Sequence, residues 1–268
     1  MNLIQRLLAG LAICALTGCD RNPRSSIGPD AAPVELRIAA AADLKFALDS
    51  LIDEFRYSHP GIQAGVTYGS SGNFFAQIQN EAPFDLYLSA DIEYPRKLAA
   101  ADLALEGDVF GYAIGRIVVW VPRTSAMEVK ELGIRSLLDS SVKKIAIANP
   151  QHAPYGKAAV AAMRELGVYD AVQPKLVLGE NIAQTAQFIE SGAADIGIIA
   201  LSLALAPEME ARGSHWEIPP ESYPKMEQGG MILKSTPSPE AAKALRDFIL
   251  AAHGRAVLKR YGFHPPEY

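Results

Sequence analysis

The stretch "VELRIAAAADLKFALDSLIDEF", residues 34–55, contains the pattern that decides the fold class. Its first part carries branched apolar side chains and reads as a strand. From Leu44 onward, apolar residues recur three or four positions apart, which is the spacing of a helix with one buried face. Asp43 stands at the junction of the two segments, where we expect its side chain to cap the helix. The stretch therefore predicts a strand that leads directly into a helix.

Strand-like and helix-like segments alternate along the rest of the 268-residue chain. Strands are predicted at 112–122, 143–150 and 229–234, and two consecutive helices at 239–252 and 254–261. Alternation of this kind is typical of parallel sheets that helices cover on both faces. The sequence therefore predicts an α/β protein.

Composition and charge narrow the classes of function. The chain is acidic, with a formal net charge of −5, and has no basic run of the kind that binds a phosphate backbone. We therefore expect no nucleic-acid partner. The two cysteines are Cys14 and Cys19, both close to the start of the chain. The fold that follows them has no thiol for a disulfide, a zinc site or nucleophilic catalysis.

The N-terminal segment has the features of a secretory signal. Residues 1–18 combine one arginine with an apolar run that is shorter than the roughly 20 residues that a membrane-spanning helix needs. The sequence "LTGC", which ends at Cys19, resembles the lipobox of bacterial lipoproteins and implies a lipid anchor on Cys19. The alternative is an ordinary cleavage site with an incidental cysteine. Residues 19–33 are rich in Pro, Ser and Gly, and are predicted to form a flexible tether.

Small or hydroxyl residues mark four junctions between a predicted strand and a predicted helix. They are "AAAADL", "YGSSGN", "PQHAPYGK" and "GENIAQ", and they are spread over both halves of the chain. In open α/β sheets, ligands bind beyond the carboxyl ends of the strands. A helix N-terminus there offers unpaired N–H groups and a partial positive charge. The junctions therefore predict a site that binds an anion without arginine or lysine.

Several of these segments resemble the substrate-binding protein of bacterial molybdate ABC transporters. The most specific are "YGSSGNFFAQIQNEAPFDLYLSAD" and "IANPQHAPYG", and the resemblance extends over about residues 34–263. It implies a periplasmic-binding-protein-like fold of type II, with two α/β lobes and a ligand cleft between them. With the order of the predicted elements, it places one lobe at 34–112 with 224–268 and the other at 113–223. The chain is then expected to cross between the lobes within "YAIGRIVVW" and before "GGMILK".

The same resemblance implies a function. A monomer in the periplasm would capture molybdate or tungstate, with no other cofactor or metal ion, and deliver the oxyanion to a membrane permease. It would be a binding protein and not an enzyme.

The ligand positions of the family can be carried over to this chain one at a time. They fall on residues at the four junctions: Ala42, Asp43, Ser70, Ser71, Tyr155 and Ile182. A further position, where some relatives have a tyrosine, is Ala200 here. Molybdate and tungstate are fully ionised dianions at neutral pH, so a selective site should consist of hydrogen-bond donors. The "SSG" turn is accordingly expected both to cap its helix and to offer hydroxyl and N–H groups to the anion.

Asp43 departs from this pattern because a carboxylate offers acceptors where donors are needed. If its side chain caps the helix, its N–H still faces the ligand. Alternatively, Asp43 accepts a proton from a protonated oxyanion such as phosphate, or coordinates a metal cation. A hydrolase that uses Ser71 is a further alternative. However, Ser71 does not lie in a G-x-S-x-G motif, and His152 has no evident acidic partner in the sequence.

Overall fold

Two five-stranded sheets form the framework of the protein in the computed structural model, which describes residues 33–266. The strands are β1 Val34–Ala41, β2 Ile62–Gly69, β3 Leu86–Ser89, β4 Ala104–Gly115, β5 Ile117–Pro122, β6 Ile145–Ala148, β7 Leu176–Gly179, β8 Ile196–Ala200, β9 Gly213–Glu217 and β10 Met226–Leu233. The first sheet has the order β2-β1-β3-β10-β4 and the second has the order β7-β6-β8-β5-β9. This arrangement agrees with the predicted two-lobe α/β architecture.

Helices fill most of the connections between the strands. They are α1 Lys45–Ser58, α2 Ser71–Gln79, α3 Glu93–Ala100, α4 Val129–Leu132, α5 Pro154–Glu165, α6 Tyr169–Val172, α7 Ile182–Glu190, α8 Leu201–Ala204, α9 Pro207–Arg212, α10 Pro239–Leu250 and α11 Ala252–Arg260. Short 3₁₀ helices occupy Ala42–Leu44, Gly133–Leu138, Gln173–Lys175 and Pro220–Ser222. The two predicted C-terminal helices are confirmed to within two residues at their ends.

The apolar spacing that predicted α1 corresponds to its buried face. Ala47, Leu48, Leu51, Ile52 and Phe55 are all buried against the first sheet and its neighbouring helices. Each large apolar side chain buried in this way contributes about 1.5–3 kcal/mol to stability. Helix α1 is therefore held by packing, and the absence of a side-chain cap at its start does not prevent it from forming.

The strand directions differ from the all-parallel expectation. In the first sheet, β1 is parallel to both β2 and β3, but β10 is antiparallel to its neighbours β3 and β4. In the second sheet, β6 is parallel to β7 and β8, but β5 is antiparallel to β8 and β9. Parallel neighbours need a crossover connection that returns the chain to the same end of the sheet. Strands β5 and β10 are instead entered directly from the other sheet, so they run in the opposite direction.

The segment 112–122, predicted as one strand, is two strands in different sheets. Strand β4 ends at Gly115 and pairs with β10, whereas β5 begins at Ile117 and pairs with β8 and β9. The chain therefore crosses from the first sheet to the second at Arg116. Residues 113–115, which the sequence assigned to the second lobe, belong to the first sheet.

The glycine that precedes this crossing has a steric role. A Cβ atom on Gly115 would lie 2.6 Å from the Tyr155 hydroxyl and 2.7 Å from Nε2 of Gln228. Only glycine allows the crossing strand to pass so close to these two side chains.

Among residues 33–266, each helix lacks the length or the apolar character needed to cross a bilayer. The predicted signal at 1–18, the lipid site Cys19 and the tether up to Ala32 lie outside the described residues.

Candidate functional site

The predicted site residues lie at the carboxyl ends of two pairs of parallel strands. Ala42 and Asp43 follow β1, and Ser70 and Ser71 follow its parallel neighbour β2. In the second sheet, α5 follows β6 and α7 follows its parallel neighbour β7. Each pair of parallel strands ends at one edge of its sheet, so two helix N-termini from each sheet lie side by side.

The two sheets bring these ends together. Ala42 packs in the same buried cluster as Tyr155 and Ile182 of the second sheet's helices. The 3₁₀ helix Ala42–Leu44 also contacts α7 and α8 directly. All six predicted residues are buried, with no more than 4% of the surface of any one exposed: Ala42, Asp43, Ser70, Ser71, Tyr155 and Ile182.

Asp43 accepts hydrogen bonds from side chains of both lobes, on β10 and on α5, and does not cap its helix. Its Oδ2 accepts a hydrogen bond of 2.9 Å from the Tyr155 hydroxyl and one of 2.7 Å from Nε2 of Gln228. Gln228 Nε2 also lies 3.0 Å from the Tyr155 hydroxyl, which completes a triangle. Neither the 3₁₀ helix nor α1 has a side-chain cap. The predicted capping role is therefore wrong, because donors from β10 and α5 hold the carboxyl group.

Burial dominates the electrostatics of this triangle. It raises the pKa of Asp43 from 3.8 to about 6, and the hydrogen bonds from Gln228, from Tyr155 and from its own backbone N–H lower the pKa only in part. Burial and the Asp43 charge raise the pKa of Tyr155 and Tyr112 well above the ordinary value. Both phenols therefore remain protonated at neutral pH, and Tyr155 acts as a donor to the carboxylate.

Two oxygens of the triangle have no hydrogen-bond partner within the described chain. They are Oδ1 of Asp43 and Oε1 of Gln228, both buried. Buried polar atoms are normally paired, and an unpaired one costs about 1–3 kcal/mol. The triangle is therefore a site with unused hydrogen-bonding capacity at the point where the two sheets meet.

The two serines after β2 have different partners. Ser71 Oγ accepts a 3.0 Å hydrogen bond from the Ala90 N–H, which leaves the hydroxyl proton of Ser71 free to be donated. Ser70 occupies the N-cap position of α2, but its side chain makes no capping bond. It lies 2.9 Å from Nδ1 of His152 instead. The expectation that the serine side chains cap α2 is therefore wrong.

The start of α7 is capped by a residue that the sequence interpretation passed over. Asn181 Oδ1 accepts 3.0 Å hydrogen bonds from the N–H groups of Ala183 and Gln184. The N–H of Ile182, the first of the helix, is not one of these two. Asn directly before an apolar helical pattern is a recognisable capping signal, so this cap was available from the sequence.

A second group of contacts joins the two sheets beside His152. The Gly72 N–H donates to the His152 carbonyl at 2.9 Å, and Asn73 donates to Glu180. Nε2 of His152 lies 3.6 Å from a carboxylate oxygen of Glu180, an acidic partner that was not evident in the sequence. This histidine binds Ser70 and not Ser71, so the contacts give no support to Ser71 as a nucleophile activated by a base.

The surroundings of Asp43 do not suit a metal cation. Its neighbours Tyr155 and Gln228 present donors to it, whereas a hard cation requires several oxygen acceptors. Within residues 33–266, no cluster of three or more His, Cys, Asp or Glu side chains could hold a metal ion. The arrangement is a set of neutral donors and helix N-termini around a single buried carboxyl group.

Residues 36–264 match a protein family described as bacterial extracellular solute-binding protein. The chain belongs to this family. This chain is 36% identical over 200 residues to the molybdate-binding protein ModA of Rhodobacter capsulatus. The match covers 74% of this chain and 77% of that relative. The solute-binding protein is 32% identical over 261 residues to the molybdate-binding protein ModA of Azotobacter vinelandii, with 97% and 96% of the two chains covered.

A solved structure supports the same assignment. The periplasmic molybdate-binding protein of Azotobacter vinelandii superposes on the solute-binding protein with a TM-score of 0.80 at 32% identity. The match covers 87% of this chain and 100% of that one. The predicted periplasmic-binding-protein-like fold is confirmed. These relatives are named for binding, and the prediction of a binding protein rather than an enzyme is confirmed with them.

Proposed function

We propose that this protein is the substrate-binding component of an ABC importer. The protein captures molybdate or tungstate outside the cytoplasm and delivers the anion to a membrane permease. The observation that carries the proposal is the meeting of four helix N-termini from two sheets, lined by buried hydroxyl and N–H groups. The two relatives named as molybdate-binding proteins support this ligand.

The chemistry of the site suits a small dianion. A tetrahedral oxyanion accepts hydrogen bonds on all its oxygens, and each helix N-terminus supplies unpaired N–H groups and a partial positive charge. The Ser71 hydroxyl, with its oxygen already bound by the Ala90 N–H, is oriented as a donor. The N–H of Ile182, left out of the Asn181 cap, is a donor from the other sheet. In this proposal, no lysine or arginine is needed.

The proposal includes a location and an anchor. We expect the protein to act as a monomer in the periplasm, tethered to the membrane by a lipid on Cys19. Multiple acyl chains give stable attachment, whereas a single chain gives only reversible binding. Cys19→Ala should therefore move the full-length protein from the membrane fraction to the soluble fraction. Retention of the variant in the membrane fraction would contradict the lipid anchor.

Calorimetric titration of the purified protein tests the ligand assignment. Molybdate and tungstate should bind with a stoichiometry of one, and sulfate and phosphate should bind much more weakly at the same pH. Titration with Fe(III) tests the alternative in which the protein binds a metal cation. Strong binding of phosphate or Fe(III), without binding of molybdate or tungstate, would contradict the proposed function.

A further inference from the structure

The buried carboxyl group of Asp43 raises a chemical problem for an anion site. Asp43 is 1% exposed, and its Oδ1 has no partner in the described part of the chain. An ionised carboxylate at this place would offer an acceptor, and a negative charge, to a dianion that can only accept. At close range in a medium of low dielectric constant, such repulsion is large. The site therefore needs a proton between Asp43 and its ligand.

The ligand of the proposed function cannot supply that proton, because molybdate and tungstate are fully ionised near neutral pH. We propose that Asp43 is a specificity-determining residue that binds the oxyanion in its protonated form, donating a hydrogen bond from Oδ1, so that ligand capture takes up one proton from solvent. This inference rests on the proposed function. The balance is simple: a carboxylate, a proton and a dianion become a carboxylic acid hydrogen-bonded to the dianion.

The geometry determines which oxygen carries the proton. Oδ2 already accepts two hydrogen bonds, from the Tyr155 hydroxyl and from Nε2 of Gln228. Nε2 of Gln228 can only donate, and the Tyr155 oxygen already accepts from Gln228 while it donates to Oδ2, so neither partner is placed to accept a hydrogen bond from Oδ2. The proton therefore resides on Oδ1, the oxygen without a partner.

The groups around Asp43 favour this protonated form. The titratable groups that face it are the phenols of Tyr155 on α5 and Tyr112 on β4, both neutral because their pKa is raised. Helix α8 contributes the hydroxyl of Ser202, which donates to the Asp43 carbonyl oxygen at 2.8 Å. Lys45 at the start of α1 is paired with Asp49.

Desolvation by burial raises the pKa of Asp43 from 3.8 to about 6. Because this value is close to neutral, the carboxyl group can gain a proton at a small cost in free energy. A dianion next to the carboxyl group raises the pKa further, since it destabilises the charged form. Binding and proton uptake are therefore coupled.

The proton can be counted directly. Molybdate is titrated into the protein by calorimetry in two buffers with different heats of ionisation, at several values between about pH 5.5 and pH 8.5. The wild type should take up close to one proton per molybdate near pH 8 and much less near pH 5.5. Since Asp43 must be protonated when the anion binds, the dissociation constant should rise with pH, by about tenfold per pH unit where the carboxyl group of the free protein is ionised.

Two variants identify the residue that takes up the proton. Asp43→Asn carries a permanent donor next to an accepting oxygen, so it should bind molybdate without proton uptake and with an affinity that does not vary with pH. His152→Gln removes a titratable side chain that is bonded to Ser70, and it should keep the proton uptake. Circular dichroism verifies that both variants are folded.

The outcomes separate the inference from the function on which it rests. Molybdate binding without proton uptake by the wild type, or continued uptake by Asp43→Asn, would overturn the inference and leave the proposed function intact. A folded Asp43→Asn that no longer binds molybdate would also overturn it, since the carboxylate would then be needed in its charged form. A wild type that binds neither molybdate nor tungstate at any pH would overturn both.

Discussion

At the scale of single residues, Ser71 is a direct probe of the proposed anion site. Its side chain is 1% exposed, and its oxygen accepts from the Ala90 N–H, so the remaining hydrogen-bonding role of the hydroxyl is to donate. The sequence identified this residue by its place in the "GSSG" turn. It did not identify Gln228, which is 185 positions from Asp43 in the chain and contacts it only in the folded protein.

Ser71→Ala should weaken molybdate binding by about ten- to a hundredfold. A hydrogen bond to a charged group contributes about 1.5–3 kcal/mol, which corresponds to this loss of affinity. Ser136→Ala is a matched control, because Ser136 is a buried serine whose hydroxyl donates to the Gly133 carbonyl within the 3₁₀ helix Gly133–Leu138, which is not one of the four helices that begin at the proposed site. Calorimetry should show unchanged affinity for the control. Equal affinities for Ser71→Ala and the wild type would remove Ser71 from the site.

Asp43 should also make the free energy of unfolding depend on pH. Its pKa is raised from 3.8 to about 6, so the folded state holds a proton that the unfolded state has already released in this interval. The stabilisation is therefore complete below about pH 4 and is lost as the pH rises through 6. The loss should be on the order of 3 kcal/mol, since one unit of pKa corresponds to about 1.4 kcal/mol.

Denaturant unfolding of the ligand-free protein at a series of pH values measures this loss. Other groups titrate in the same range, so the informative quantity is the difference between the wild type and Asp43→Asn. The variant lacks the ionisable group. The free energy of unfolding of the variant minus that of the wild type should therefore increase as the pH rises from about 4 to about 7. Parallel curves for the two proteins would show that burial does not perturb this carboxyl group.

At the scale of elements, helix α7 combines two roles at its N-terminus. Asn181 caps the second and third N–H groups, and the first N–H, that of Ile182, is a proposed donor to the anion. The helix was predictable because its apolar spacing is local in the sequence. The N–H group that is left for the anion could not be predicted from this spacing. It depends on which N–H groups of the first turn the Asn181 side chain binds.

Asn181→Ala should lower the free energy of unfolding by about 0.5–2 kcal/mol and also weaken molybdate binding, because the uncapped first turn no longer holds the Ile182 N–H in place. Asn181→Asp is the matched variant. Asp is an equally good cap, so stability should be retained, but its charge near the site should weaken binding of the dianion. Denaturant unfolding and calorimetry measure the two effects separately. Unchanged molybdate affinity in both variants would place the α7 N-terminus outside the site.

At the scale of the whole molecule, the proposed anion site lies where the two sheets meet. Ser71 and Asp43 belong to one side, Tyr155 and Ile182 to the other, and contacts such as that between Gly72 and His152 join the sides. A ligand held by both sides favours the arrangement in which they are close together.

Small-angle X-ray scattering should therefore show a smaller radius of gyration with saturating molybdate than without it. The physical reason is that donors from both lobes converge on one anion, so binding draws the lobes together. Ser71→Ala at a molybdate concentration below its dissociation constant is the control and should scatter like the free protein. An unchanged radius of gyration in the wild type at saturation would contradict closure around the ligand.

The features that could be predicted from the sequence are those that depend on local periodicity and local chemistry. Apolar spacing predicted α1 and the C-terminal helices. The small residues at strand ends predicted the helix starts at Ser71, Pro154 and Ile182. These signals are readable because each involves residues that are neighbours in the chain. Tertiary structure alone decided the antiparallel course of β5 and β10, the break at Arg116, and the triangle of Asp43, Tyr155 and Gln228. Each of these depends on contacts between residues more than seventy positions apart, because the partners of a buried polar group are set by packing and not by the residues beside it in the sequence.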